Sequence, residues 1–223
     1  MSENLLNTIY LSIAYLVLFA SAEFFYHRLK TRAEITRKYV HIVTGLLTML
    51  FPPLIQNHWL VLLLCSSFLI ILLASLYFKL LPSINAVERT TRGSILYPVI
   101  VYCCYLMYIS QDQFIFYYIP ILILTLCDPM AALVGKHFPR GKYITFGHCK
   151  TLSGSAGFFA AAVITSLCLV VGLEQMTLTK TLIITISVAV VTTIAEALSH
   201  KGYDNLTIPF SALAMLMLIN HYL

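Results

Sequence analysis

Charged side chains are scarce in this chain: 10% of its 223 residues are Asp, Glu, Lys or Arg, and nine of these are acidic. Because soluble domains carry about 25% charged residues, this composition places the chain in the membrane class. The six cysteines lack the spacing of a metal site or a disulfide framework. The first residues, MSENLLNTIY, lack the basic region of a cleavable signal peptide, so we expect the first apolar segment to be retained as a helix.

Hydrophobic residues make up 60% of the chain, and most of them fall in long runs. A membrane-spanning helix needs roughly 20 apolar residues, so the pattern predicts an all-α, polytopic membrane protein. We expect one membrane domain over residues 1–223, with about eight transmembrane helices. The predicted spans are residues 5–26, 39–55, 58–81, 94–110, 114–134, 151–173, 180–198 and 206–222.

Basic residues predict the orientation, because cytoplasmic connections carry an excess of Lys and Arg. Nearly all of them lie in the odd-numbered connections, so we expect those to be cytoplasmic and both termini to lie outside. This topology accounts for the net charge of +5 without nucleic-acid binding. The polar segments 27–38, 82–94, 128–155 and 196–209 then form one layer at the cytoplasmic face. That arrangement suits an enzyme that takes a lipid from the bilayer and a soluble cosubstrate from the cytosol.

Two motifs in the first half of the chain place basic groups beside predicted helices. In RKYVHIVTG, Arg37 and His41 share a helix face, either as a topology signal with a packed histidine or as an anion-binding pair. In ERTTRGSILYP, Arg89 and Arg92 stand near a helix start, where they suit phosphate or serve as an ordinary positive-inside loop.

The motif CDPMAALVGKHF contains a carboxylate, Asp128, at the end of an apolar run. Asp followed by Pro is a good N-cap and N1 pair, so the fifth span either breaks at Asp128 or ends there before a short interfacial helix. A carboxylate at this depth is unfavourable unless it is paired or functional. We favour a magnesium ligand or a base toward a hydroxyl.

The stretch CKTLSGSAGFF gathers phosphate-binding chemistry where a polar segment enters the membrane. Lys150 offers a positive charge, Thr151, Ser153 and Ser155 offer hydroxyls, and Gly154 allows backbone amides to approach a ligand at a helix N-terminus. The spacing is not that of a Walker A loop. The small residues are equally typical of close helix packing in membranes.

The motif EALSHKGYDNLTIP brings Glu196, Asp204 and Asn205 around a tight turn. Oxygen ligands of this kind suit Mg²⁺, which keeps waters and nucleotide phosphates in its coordination shell. The alternative for Asp204 and Asn205 is turn and N-cap chemistry. The histidines His137 and His148 show no zinc-type spacing and are expected in loops.

Taken in order, these motifs resemble the diacylglycerol/polyprenol kinase family, which includes dolichol kinase, phytol and farnesol kinases and the yeast-type CTP-dependent diacylglycerol kinase. The resemblance covers roughly residues 37–210, and Cys127 departs from the family's usual glycine before the aspartate. It implies transfer of a phosphoryl group from a nucleoside triphosphate, typically CTP, to the hydroxyl of a membrane lipid alcohol. The motif residues carried over are Asp128, Ala131, Gly135, Lys150, Thr151, Gly154, Ser155, Glu196, Asp204, Asn205 and Pro209.

From the residues and the resemblance together we expect three groups of roles. Magnesium would be held by Asp128, Asp204 and Asn205, and the catalytic residues would be Asp128, Glu196 and Lys150. The phosphates would be held by Lys150, Thr151, Ser153, Gly154, Ser155, Arg92, Arg37 and His41. A CDP-diacylglycerol synthase, which also uses CTP, and a small transporter are the alternatives. The sequence leaves open which lipid alcohol is used, whether CTP or ATP is preferred, and the oligomeric state.

Overall fold

The computed structural model describes residues 2–78, 80–85, 93–200 and 202–222, and most of them are α-helical. The helices are α1 (Glu3–His27), α2 (Ala33–Thr48), α3 (Phe51–Leu54), α4 (His58–Tyr77), α5 (Pro82–Asn85), α6 (Gly93–Gln111), α7 (Ile115–Leu122), α8 (Asp128–His137), α9 (Leu152–Leu173), α10 (Leu178–Leu198) and α11 (Asp204–Tyr222). A π-helical segment, Ile123–Cys127, joins α7 to α8. The predicted helical membrane class is therefore confirmed.

Six helical segments among the described residues are long and apolar enough to cross a membrane. They are α1, α4, α6, the continuous segment Ile115–His137, α9 and α10. Each of the eight predicted spans overlaps a helix, but α2 and α11 are not among these six. The count of eight spans and the outside location of both termini therefore stay predictions.

The chain divides into two compact units, Met1–Tyr102 and Cys103–Leu223, with the boundary inside α6. In the first unit, aromatic rings and hydroxyls share the core. The Tyr15 hydroxyl lies 2.9 Å from Oγ1 of Thr48, which lies 3.1 Å from the Tyr97 hydroxyl. The Tyr15 ring also packs on Phe68 at a centroid distance of 4.5 Å. The buried hydroxyls of α1 and α2 thus bond to each other, as polar groups without water must.

In the second unit, α9 packs against α8 and α10, and α10 packs against α11. Small and apolar residues fill these contacts: Phe158 and Ala162 on α9 and Val188 on α10 are fully buried. The outer surface of α9 is also apolar, with Ile164 and Val171 more than 60% exposed. Such a surface is stable against lipid rather than water, which agrees with an integral membrane protein.

The fifth predicted span does not break at Asp128. The helix runs from Ile115 to His137 and changes to π-helical bonding over Ile123–Cys127. Asp128 follows as the first residue of α8, so the N-cap position is Cys127 and not the predicted Asp128. Pro129 lacks an N–H, and the Thr125 hydroxyl donates to the carbonyl of Ile121 at 2.7 Å. Both features disturb regular α-helical bonding here, and such π-segments are frequent at functional sites.

The connection between α8 and α9 contains a β-hairpin where the sequence analysis predicts only a loop. Strand β1 (Lys142–Thr145) pairs antiparallel with β2 (His148–Thr151). The turn is Phe146–Gly147, and both residues have positive φ, 47° and 77°. This two-residue turn directs β2 straight into α9.

Candidate active site

A pocket of about 230 Å³ in the second unit is formed by α8, β2, the first turn of α9 and the last turns of α10. It is lined by Asp128, Ala131, Ala132, Gly135, Cys149, Lys150, Thr151, Gly154, Ser155 and Glu196. The three predicted catalytic residues are all in this lining. Residues distant in sequence are thus gathered around one small polar pocket that holds a lysine and two carboxylates.

An ion pair crosses the pocket. Nζ of Lys150, on β2, donates to Oε1 of Glu196, on α10, at 2.7 Å, and also bonds to the Glu196 carbonyl oxygen. The Lys150 and Glu196 side chains are only 21% and 10% exposed. Partial burial strengthens the attraction relative to a surface pair, and it makes an unpaired partner unfavourable.

The second carboxylate oxygen of Glu196 has no such bond. Oε2 is buried and has no hydrogen-bond partner within the described part of the chain. A buried carboxylate oxygen without a partner is unfavourable, and each such atom in a native fold needs an explanation. In a pocket of this kind, a magnesium ion, a proton or a substrate hydroxyl would satisfy it.

Asp128 enters the same pocket from α8. It is partly exposed, and it follows directly on the π-helical segment. One extra residue in a helical turn rotates everything after it, so this segment helps determine which side of the helix Asp128 occupies. The pocket therefore holds two carboxylates, one from α8 and one from α10, and one lysine from β2.

Thr151 is the N-cap of α9. Its Oγ1 accepts the Gly154 N–H at 3.1 Å, and its backbone is extended, with φ −129° and ψ 142°. A hydroxyl that accepts one bond keeps its own hydrogen for donation. Thr151 can therefore cap the helix and donate to a pocket ligand at once.

The predicted backbone amides for phosphate are largely occupied. Leu152 N–H donates to the Gly141 carbonyl at 2.9 Å, and Gly154 N–H goes to Thr151. The Ser153 hydroxyl bonds to the Phe138 carbonyl, and Ser153 is absent from the pocket lining. Its position supports a role in holding the loop between α8 and β1, and gives no support to a phosphate contact.

Gly135 and Gly154 let α8 and α9 approach closely beside the pocket. A Cβ on Gly135 would lie 2.8 Å from Thr151 Oγ1, and one on Gly154 would lie 3.0 Å from the Ala131 carbonyl oxygen. Real Cβ atoms essentially never lie as close as 2.8 Å to such an atom, and 3.0 Å is at the lower limit of real contacts. The glycines thus maintain the position of Thr151 against α8, which combines the packing and binding interpretations of this stretch.

Besides Lys150 and Thr151, the hairpin contributes a pocket-lining residue, Cys149, and a side chain that bonds to the lining, Tyr143, neither of which the sequence predicted. The Tyr143 hydroxyl lies 2.8 Å from Oγ of Ser155, and Cys149 lines the pocket. The register pairs Tyr143 with Lys150 across the two strands. The segment KYITFGHCKT mixes polar and apolar residues around a central Phe146–Gly147, and this pattern weakly predicts a hairpin.

Phytol kinase from Synechocystis sp. (strain ATCC 27184 / PCC 6803 / Kazusa) is 30% identical to this chain over 183 residues. The match covers 81% of the chain and 77% of that protein. The chain belongs to the phytol kinase family. It is therefore placed among lipid-alcohol kinases, as the motif order predicts, and it is an integral membrane protein. No family model and no solved structure matches it significantly.

Within this phytol kinase family member, two predicted magnesium ligands are separate from the pocket lining. Asp204 and Asn205 begin α11, where Oδ1 of Asp204 accepts the Asn205 N–H at 2.9 Å. Over the described ranges, no three His, Cys, Asp or Glu side chains are grouped so that they could hold a metal ion. Asp128 is the predicted metal ligand that the pocket does include.

Three predicted phosphate-binding residues, Arg37, His41 and Arg92, belong to the first half of the chain. Arg37 and His41 are in α2 of the first unit, where the His41 ring packs edge-on against Tyr97 at a centroid distance of 6.4 Å. Arg92 lies outside the described residues. Their contact with phosphate stays a prediction.

Proposed function

We propose that this protein transfers the γ-phosphoryl group of a nucleoside triphosphate, CTP by family resemblance, to the hydroxyl of an isoprenoid alcohol such as phytol. The single observation that carries the proposal is the pocket that joins Lys150, Asp128 and Glu196 in a member of the phytol kinase family. Positive-inside topology supports a pocket that opens toward the cytoplasm, where nucleotides are available.

Phosphoryl transfer depends on positioning and charge neutralisation more than on covalent chemistry. Lys150 supplies the positive charge for the phosphates, and Thr151 and Ser155 supply hydroxyl donors on the same wall of the pocket. Because Lys150 is bonded to Glu196 in this structure, an entering phosphate competes for the ammonium group. The lysine would therefore turn from the carboxylate toward the phosphate when nucleotide binds.

Glu196 is our assignment for the proton acceptor. The alcohol oxygen attacks the γ-phosphorus, its proton passes to Oε2 of Glu196, and the bond from the γ-phosphorus to the bridging oxygen breaks. The nucleoside diphosphate leaves with that electron pair, and the lipid monophosphate is formed. Oε2 suits this role because it belongs to a pocket-lining residue, is buried, and has no hydrogen-bond partner within the described residues.

Magnesium fits the pocket through Asp128. Mg²⁺ is commonly bound by one or two carboxylates and completed by waters and substrate phosphates, so a cage of protein ligands is not required. When bound, the ion would neutralise charge on the phosphates. Asp204 and Asn205 do not line the pocket, and their predicted contribution to the ion finds no support in this arrangement.

The helices that form the pocket also carry apolar outer surface, which suits a lipid acceptor. Met130 and Leu133 on α8 and Ile194 on α10 are each more than 40% exposed, on helices that contribute Asp128 and Glu196. An isoprenoid tail can lie against such surface within the bilayer while its hydroxyl reaches the polar layer. Diacylglycerol, farnesol, geranylgeraniol and longer polyprenols present the same hydroxyl and belong in the same test.

The function is tested with purified protein, radiolabelled CTP or ATP, and a panel of lipid alcohols that includes phytol. We expect the lipid product to carry label from the γ-position of the nucleotide and none from the α-position. Label from the α-position would instead identify a cytidylyltransferase, and the absence of any labelled lipid across the panel would contradict the proposal.

A further inference from the structure

Four aromatic rings lie close together at the end of the hairpin and beyond the end of α10. We call the set Phe146, His148, His200 and Tyr203 the aromatic platform. His200 stacks with Phe146 at 5.2 Å and with His148 at 5.9 Å, each with an interplanar angle of 26°. Tyr203 lies 5.9 Å from His200 at a steeper angle of 48°. Phe146 and His148 are thus each within 26° of parallel to His200, and Tyr203 is tilted against it.

Strand β2 connects this platform to the pocket. His148 and Lys150 are two residues apart on β2, so their side chains point to the same face, about 7 Å apart along the strand. Lys150 forms an ion pair with Glu196 in α10. His148 stacks with His200, which follows Glu196 by four residues. The charged pocket and the aromatic platform are therefore consecutive along one strand face.

The turn places Phe146 in an unfavourable conformation. Its φ of 47° is in the left-handed region, where bulky residues such as phenylalanine are rare. Its side chain is also 68% exposed. Strained backbone of this kind tends to occur at ligand-binding and active sites. Phe146 thus combines an exposed ring, a strained backbone and stacking on His200. This combination is typical of a binding surface.

The pocket is too small for a whole nucleotide. Sites that enclose a ligand of drug size have volumes of roughly 300–1,000 Å³, whereas this pocket has about 230 Å³. Its lining of one lysine, two hydroxyls and two carboxylates suits phosphates and an acceptor hydroxyl. The base and ribose of a nucleoside triphosphate must therefore lie outside the pocket, at a neighbouring surface.

We propose that the aromatic platform binds the base of the nucleoside triphosphate donor by stacking, while the pocket holds its phosphates. The inference rests on the proposed kinase function and adds a site for the base. Aromatic side chains stack on any base because each base has a flat π-face. The geometry of β2 then sets the direction of the nucleotide, with its phosphates toward Lys150 and its base toward His148 and His200.

The test compares purified wild-type protein with Phe146→Ala and His200→Ala. Loss of one stacking partner should raise KM for CTP about fivefold or more, and should change kcat and KM for phytol less than twofold. Inorganic tripolyphosphate, which has no base, should inhibit wild type and both variants with the same Ki within twofold. Phe146→Tyr keeps a ring and should restore KM close to the wild-type value.

Ile144→Ala is the matched control, because Ile144 is 79% exposed on the same hairpin and is not part of the platform. Unchanged KM for CTP in both platform variants overturns the inference while the kinase function stands. A raised KM for phytol in Phe146→Ala, or an equal effect of Ile144→Ala, shows instead that the hairpin contacts the membrane and also overturns it. Failure of wild type to transfer γ-label removes both the function and the inference.

Discussion

Nζ of Lys150 lies 2.7 Å from Oε1 of Glu196, which joins the hairpin to the end of α10 across the pocket. The two residues are 46 positions apart in sequence. The pair leaves Oε2 of Glu196 without a partner in the described structure and makes Lys150 available for exchange with phosphate. One contact thus links the stability of the second unit to the chemistry of its pocket.

Lys150→Met should destabilise the protein, because it leaves the Glu196 side chain, only 10% exposed, without its counter-charge. We expect a loss of about 3 kcal/mol, near the lower end for a broken buried pair because the lysine is a fifth exposed. The double variant Lys150→Met/Glu196→Gln should recover most of the lost Tm in detergent. A double variant no more stable than Lys150→Met would show that the pair is not coupled.

Asp128→Asn should lower the transfer rate more than tenfold, because the neutral amide lacks the negative charge with which a carboxylate binds magnesium. Raising the magnesium concentration should restore activity only in part, measured as kcat at saturating CTP and lipid. Asp112→Asn is the matched control, since Asp112 is exposed between α6 and α7, outside the pocket lining. Full rescue of Asp128→Asn by magnesium, or an equal loss in the control, would contradict the assignment.

Gly154→Ala should reduce both stability and activity. The added methyl would meet Thr151 Oγ1 at 2.9 Å and the Ala131 carbonyl at 3.0 Å, so α8 and α9 must separate. Overpacking of this kind costs about 1–3 kcal/mol. Gly172 is in the same helix, and a Cβ added there would have no packing neighbour within 4 Å. Gly172→Ala should therefore be neutral or up to about 1 kcal/mol more stable. Equal Tm for the two variants would refute the close-packing role.

Glu174, at the end of α9, predicts a pH effect away from the pocket. Burial raises the pKa of this carboxyl above its ordinary 4.5, although backbone N–H groups of Ile115 and Phe114 donate to it and oppose the rise. Its contribution to stability is therefore full below pH 4.5 and is lost as the pH rises through the raised pKa. Relative to wild type, Glu174→Gln should gain Tm between pH 4 and pH 7.

The control for this titration is Glu34→Gln, which removes a carboxylate from α2 whose side chain is 58% exposed. A constant Tm difference between Glu174→Gln and wild type at every pH, or the same trend in Glu34→Gln, would show that Glu174 does not cause the effect.

Long apolar runs made the helices predictable, because burying apolar surface in lipid or protein determines them locally. Proline was a poorer guide. Pro120 lies inside α7, and Pro129 follows a π-segment within one continuous helix, where neighbouring groups compensate for the missing N–H. Which bonds shift in such a segment depends on packing that a single sequence does not reveal.

The pocket was predictable in its chemistry but only in part in its geometry. Lys150, Asp128 and Glu196 are charged residues at the ends of apolar segments, where a charge is unfavourable unless it is paired or functional, so the sequence predicts their roles. The hairpin is short and polar, and its turn uses Phe146 where asparagine or glycine is usual, so its pattern was weak. Asp204 is close to Glu196 in sequence, yet the chain turns so that only Glu196 lines the pocket.

The most direct test is the rate of γ-label transfer from CTP to phytol in wild type, Lys150→Met and Lys142→Met. Lys142 is exposed on the same hairpin and absent from the pocket lining, so its variant removes one positive charge without changing the pocket. We expect Lys142→Met to keep the wild-type rate and folded Lys150→Met to lose well over tenfold. Near-normal turnover by folded Lys150→Met would contradict the assignment of this pocket as the phosphate site.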